Sequence, residues 1–238
     1  LSLFAFSCQP SDVIFDVLII NAKVVDGTGN PWFYGDVGIE GEKIAAIGKL
    51  KGRTAKRVID ASGKIVVPGF IDMLGQSGRS LLIDNRAMSK ISQGITTEIT
   101  GEGASVAPVN ENILREWRPF LEKYKLNVDW QDFEGYFNRL EEHKTAINLA
   151  SMVGATQVRA YVVGYEDRSP TPQEMDQMKE LVKVAMRQGA WGVGSSLIYA
   201  PATYAKTEEL IELAKAAAEF GGIYVSHIRD EGDKGKQV

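Results

Sequence analysis

The sequence is short of the residue types that most often bind metals or staple small folds. Its 238 residues include one cysteine, Cys8, and two histidines, His143 and His227. A single cysteine excludes an internal disulfide and any cysteine-based metal cluster. No apolar run approaches the roughly 20 residues of a membrane-spanning helix. Lys and Arg number 27 against 31 Asp and Glu, a formal net charge of −4 with no basic stripe, so nothing points to nucleic acid. Gly192-Val193-Gly194 lacks the context of a phosphate loop, which removes the case for nucleotide binding. No internal repeat or low-complexity tract is evident. What remains, 44% hydrophobic and 24% charged, is ordinary globular composition for one large domain or one and a half.

The chain starts at Leu1 without a methionine and stops at Val238 just after a strand-and-loop pattern, and is read as a fragment cut at both ends. Leu1-Ser2-Leu3-Phe4-Ala5-Phe6-Ser7-Cys8 resembles the tail of a secretory apolar segment closing on a cysteine, as bacterial lipoprotein signals do. Residues 1–13 are therefore expected to be a signal remnant and linker. Cys8 would carry lipid and attach a periplasmic or cell-envelope lipoprotein to a membrane. The alternative is a frayed terminus with an incidental thiol on a cytoplasmic protein.

Residues 15–67 alternate as short strands: 15–20 continuing into 21–26 past a kink, a 36–39 and 43–48 hairpin, then 57–60 and 64–67. After Pro68 the rhythm becomes helix and apolar strand in turn. The pattern predicts a helix over 80–93 stopped by Gly94, a strand over 95–100, helices over 110–125 and 130–143, and a strand over 146–153. Thr171-Pro172-Gln173-Glu174 is a capping box that opens a helix. Met175, Met178, Val182 and Ala185 give that helix an apolar face, read as core. A short strand over 191–194, a helix capped by Thr207 and a strand over 223–227 complete the series. Strands joined by helical crossovers are parallel. The expected fold is α/β: a small β-sandwich part over 14–64, then about five βα units of a partial (β/α)8 TIM-like barrel over 65–238.

In such a barrel, chemistry gathers where strands end. Those ends carry Asp72, Glu102, Ala155, Ser195 with Ser196, and His227. His227 closes an apolar strand before a charged loop, where imidazole suits a metal such as zinc but equally suits a plain hydrogen bond. Glu102 stands between Gly101 and Gly103, which permit a tight turn aiming one carboxylate inward; a solvated loop acid is the other reading. Asp72 is open between orienting the site and capping a turn. Glu98 reads as part of a polar layer or an ion pair, and His143 as a surface residue near a helix end. Tyr199 lies in a long strand-to-helix loop, the usual place of substrate contacts.

Asp16-Val17-Leu18-Ile19-Ile20-Asn21-Ala22-Lys23-Val24-Val25-Asp26-Gly27, followed by Val66-Val67-Pro68-Gly69-Phe70-Ile71-Asp72, resembles the amidohydrolase superfamily. Gly94-Ile95-Thr96-Thr97, Ala107-Pro108, the stretch from Gly192 to Pro201 and Tyr224-Val225-Ser226-His227-Ile228-Arg229-Asp230-Glu231 narrow it to the N-acyl-D-amino-acid deacylase, or D-aminoacylase, branch. The resemblance implies zinc held by a cysteine after strand two and histidines after strands five and six, with a catalytic aspartate after strand eight. Anchoring on Gly103, Ser105 and Ala107-Pro108 puts Glu102 at the cysteine position, and His227 falls on the strand-five histidine. The remaining histidine and the aspartate would lie beyond Val238. The branch usually carries His-x-His after the Gly-Phe-Ile-Asp segment; here Leu74 and Gln76 occupy those positions, and Ala155 replaces a histidine after strand three.

The implied cofactor is one divalent metal, zinc or another, held by Glu102 and His227, with Gln76 and Tyr199 contacting a small acylated amino acid. The implied reaction is deacylation of N-acyl-D-amino acids to a carboxylate and a D-amino acid by a metal-activated water. A hydrolase of cyclic amides and a catalytically inactive binding or surface protein are the alternatives. The 238-residue piece alone is expected to be inactive, because an open barrel leaves strand edges unpaired and lacks the base.

Overall fold

The computed structural model describes residues 15–230 and Gly232. Cys8, the predicted lipid site, and Glu231 lie outside the described residues. The chain divides into two compact units between Pro68 and Gly69.

The first unit is one five-stranded sheet. It contains β1 (Phe15–Val24), β2 (Phe33–Glu40), β3 (Lys43–Gly48), β4 (Ala55–Asp60) and β5 (Ile65–Val66). β1 is central, antiparallel to β2 and parallel to β4 and β5, while β3 closes a hairpin with β2. The predicted kink appears where the pairing with β2 shifts between Ile19 and Ala22, at Asn21 with φ +59°. Asparagine tolerates that left-handed backbone better than most residues. Buried Asp36 braces the kink by accepting from the Asn21 amide at 2.9 Å and the Leu50 amide at 2.8 Å. Its buried side chains are few, with Ala22, Val24, Val37 and Ala61 clustered and Phe15 and Leu18 also buried, while Ile44, Val58 and Ile65 stay exposed. Ile65 and Val66 pair with Lys23 and Val24. They therefore extend this sheet, whereas the sequence reading starts the barrel at Ile65.

The second unit alternates parallel strands with helices. Its strands are β6 (Phe70–Asp72), β7 (Ile95–Thr100), β8 (Asn148–Ser151), β9 (Val153–Gly154), β10 (Gly192–Ser196) and β11 (Ile223–His227). They form two parallel three-stranded sheets, β6-β7-β8 and β9-β10-β11, in chain order. Only Met152 separates β8 from β9, and its amide donates to Thr100 O at 2.7 Å, so the strand predicted over 146–153 starts later, at Asn148, and is interrupted at Met152.

The helices are α1 (Met88–Ile91), α2 (Glu111–Tyr124), α3 (Phe133–His143), α4 (Ala155–Val162), α5 (Pro172–Arg187) and α6 (Thr207–Ala218). Asn110 caps α2 and Asp132 caps α3, each accepting backbone amides through its side chain. The capping box of α5 is complete, with Glu174 N donating to Thr171 Oγ1 at 3.2 Å and Thr171 N to Glu174 Oε2 at 2.7 Å. Met178, Val182 and Ala185 are buried beneath it, as their spacing predicts.

Two local expectations fail, and a third holds in part. The helix predicted over 80–93 is only a 3-10 turn, Ser80–Leu82, followed by the four-residue α1. Asp84 accepts the Arg86 amide at 3.1 Å, and Ala87 has φ +46°, a left-handed residue no continuous α-helix contains. Thr207 is the first residue of α6 rather than its cap; Lys206 precedes it and no side chain caps the helix. His143 ends α3 as predicted, but it is half-buried and its carbonyl accepts from Asn85 Nδ2 at 2.8 Å.

Candidate functional site

Parallel strands release the chain on one side of a sheet, and ligands in open α/β folds bind beyond those carboxyl ends. A cleft of about 740 Å³ lies there. Leu74 and Gln76 line it after β6, Glu102 after β7, Thr156 and Gln157 after β9, Ser196 and Tyr199 from β10 onward, and His227 at the end of β11. A second cleft of about 660 Å³, near Lys144, Asn148 and Trp191, contains none of the strand-end residues named above.

Glu102 reaches the cleft through two close approaches. Gly101 turns the chain at the end of β7 with φ +92°, and a Cβ there would stand 2.1 Å from Met152 O. A Cβ on Gly194 would stand 2.7 Å from the Glu102 Cα, so the Glu102 backbone lies directly against β10. His227 is in register with Ser196, and its carbonyl accepts the Leu197 amide at 3.3 Å. These constraints bring Glu102 Oε2 to 3.3 Å from His227 Nδ1, with the two side chains 15% and 27% exposed. The Tyr199 ring centroid is 6.4 Å from that of His227.

A carboxylate oxygen and a ring nitrogen at this separation fit one small divalent ion. With bonds of about 2.0–2.1 Å, two donors of a tetrahedral zinc stand about 3.3 Å apart. Among the described residues no group of three or more His, Cys, Asp or Glu side chains converges to hold a metal. Glu102 and His227 are therefore the two candidate ligand residues that the described part of the chain brings together.

The other strand-end residues behave differently. Asp72 accepts the Leu74 amide at 3.1 Å and pairs with Lys90; chiefly the lysine, then the amide, holds its carboxyl below the usual range. It organises the turn into the cleft and does not line it. Glu98 is fully buried, accepts the Ser77 amide at 2.7 Å and lies 3.4 Å from Lys90 Nζ, the ion-pair reading of that residue. Its Oε2 has no aligned hydrogen bond, so the contact with Lys90 is electrostatic. Ala155 is buried as the first residue of α4. Ser195 is buried too, bonded through Oγ to Tyr224 Oη at 2.6 Å and Ser226 Oγ at 2.9 Å.

Sequence reasoning missed Arg79. It lines the cleft with its guanidinium carbon 4.6 Å from the Trp117 ring centroid and 4.5 Å from that of Phe120. Trp117 and Phe120 are three residues apart on α2, hence on one face. That aromatic spacing was the available signal, but nothing in the sequence ties it to an arginine from a different segment.

Comparison with known proteins places the chain in a family. The profile described as Amidohydrolase family matches residues 57–237. A D-aminoacylase of Alcaligenes xylosoxydans xylosoxydans is 37% identical over 220 residues, covering 92% of this chain and 45% of that protein. A crystal structure of D-aminoacylase matches with a TM-score of 0.80 at 35% identity, over 92% of this chain and 46% of that one. The N-acyl-D-glutamate deacylase of Bordetella bronchiseptica, solved with zinc and a phosphonate mimic of the tetrahedral intermediate, matches with a TM-score of 0.81 at 33% identity, over the same shares. The chain thus spans about half the length of these relatives and shares their α/β fold. The chain belongs to the amidohydrolase family.

Proposed function

We propose that the whole protein hydrolyses linear amides with the help of one divalent metal, most simply zinc, and deacylates N-acyl-D-amino acids to a carboxylate and a D-amino acid. The observation that carries this reading is the 3.3 Å approach of Glu102 Oε2 and His227 Nδ1 inside the strand-end cleft. The similarity to D-aminoacylase and N-acyl-D-glutamate deacylase selects the substrate class. Glu102 and His227 would hold the metal, which when bound would supply Lewis-acid activation of the amide and of water. Glu102 contributes a hard anionic oxygen, which widens the choice of metal beyond zinc. Gln76 and Tyr199, both lining the cleft, hydrogen-bond the acyl-amino acid. A further histidine and the aspartate that acts as general base are assigned to chain beyond Val238.

In the same reading, the parallel strands from β6 onward are the first part of a (β/α)8 barrel, and the β unit is part of a β-sandwich. The exposed Ile44, Val58 and Ile65 of that small sheet are consistent with a missing layer. Cys8 is assigned as a lipidated residue that attaches the protein to the cell envelope, checked by incorporation of a labelled fatty acid into wild type but not Cys8→Ser.

The test of the metal reading is elemental analysis of the purified full-length protein beside Glu102→Ala. Stoichiometric metal in the wild type and its loss in the variant are expected. Metal-free wild-type protein, or unchanged content in the variant, overturns the assignment.

A further inference from the structure

Arg79 lines the cleft, and no carboxylate among the described residues pairs with it. Its guanidinium lies over the Trp117 and Phe120 rings, and among the described residues no hydrogen bond or ion pair engages it. Burial lowers its pKa, with no carboxylate acting in the opposite direction. Arg159, the structural arginine of this chain, shows the contrast. It donates to Glu209 Oε2 at 2.7 Å and to the carbonyls of Glu166 and Arg168 at 3.1 and 2.6 Å. Among the described residues Arg79 has no such partners, yet the rings on α2 fix its position. Among the described residues lining the cleft it is the only Lys or Arg, and Glu116, also in the lining, forms no ion pair with it.

A planar guanidinium stacked on aromatic rings keeps its N–H edge free for a planar oxyanion, which it binds through two parallel hydrogen bonds. The partial desolvation that costs a lone cation strengthens its attraction for an entering anion. We propose that Arg79 is the carboxylate-recognition residue of the cleft and selects substrates by an anionic group on the amino-acid portion. The identity of the substrate rests on the deacylase reading; the preference for a carboxylate rests on Arg79 alone. Two carboxylates are available on such substrates, the α-carboxylate and the side-chain carboxylate of an acidic residue, and both present the same chemistry.

The experiment measures affinity of the full-length protein for N-acetyl-D-leucine, N-acetyl-D-leucinamide, N-acetyl-D-glutamate and N-acetyl-D-glutamine by calorimetry, with hydrolysis followed in parallel. Wild type, Arg79→Met and Arg79→Lys are compared. In Arg79→Met the acid-over-amide preference should fall by about tenfold to a hundredfold, the scale of a charge-assisted bidentate contact, while the neutral ligand binds as before. Arg79→Lys should recover part of the preference, which a role in packing alone would not produce. Collapse of the leucine pair assigns the α-carboxylate; collapse of the glutamate–glutamine pair alone assigns the side chain. Equal preferences in wild type and Arg79→Met overturn the inference even if hydrolysis is seen. Wild type that binds these ligands but hydrolyses none overturns the deacylase reading while leaving the Arg79 comparison readable, and wild type that binds none overturns both.

Discussion

Glu102 Oε2 and His227 Nδ1 lie 3.3 Å apart although 125 residues separate them in the chain. The contact depends on the end of β7 lying tightly against β10. Gly194→Ala would place a methyl 2.6 Å from Gly101 O and 2.7 Å from Glu102 Cα. The backbone must then move, at about 1–3 kcal/mol. The variant should fold with a lower melting temperature and bind metal more weakly than wild type, measured by thermal denaturation and metal titration. Unchanged metal affinity would mean that the Glu102 carboxylate is not positioned by this packing.

Tyr199 and Gln76 are assigned to substrate and not to metal. Tyr199→Phe and Gln76→Ala should therefore raise KM by roughly fivefold to thirtyfold, the loss of one hydrogen bond of about 1–2 kcal/mol, and leave metal content at the wild-type level. Metal loss in either variant would contradict that division of roles.

Lys90 is the cation that faces buried Glu98, with Asp72 on its other side. Lys90→Met leaves the Glu98 carboxylate without its charge partner, a change that costs about 3–5 kcal/mol when a buried pair is broken. Adding Glu98→Gln should recover much of the loss, because the stranded charge is gone. A double-mutant cycle from denaturant unfolding checks this, and strict additivity would show that the two side chains do not interact.

Glu174 gives a pH signature. Arg168 first, then the Thr171 amide, draws its carboxyl down from 4.5 to about 2. A carboxyl depressed by folding stabilises the native state fully above its unfolded value and loses that contribution as pH falls through the folded one. The melting-temperature difference between wild type and Glu174→Gln should stay constant above pH 4.5 and shrink between 4.5 and about 2. Because Glu174 is on the surface, the difference should also diminish with added salt.

Much of the architecture was legible because it is encoded locally. Strand residues 223–227, the helix at 111–124 and the capping box at Thr171 follow from alternation, apolar spacing and short-range hydrogen bonds. The segment over 80–93 was not, because its apolar residues imitate helical spacing while Asp84 and Ala87 break the backbone locally. Ile65 and Val66 could have continued into the next strand or turned back; pairing with Lys23 and Val24 decided it.

The same division runs through the site. Sequence by itself determined which residues stand at strand ends, among them Glu102 and His227, since strand length and flanking glycines are local properties. It also determined that the turn after Asp72 offers Leu74 and Gln76 in place of metal-binding side chains. Only the tertiary structure decided that Glu102 meets His227, that Asp72 turns to Lys90, and that Arg79 rests on Trp117 and Phe120. Those relationships depend on packing between segments far apart in the chain, and no local pattern of residues specifies a distance across a fold.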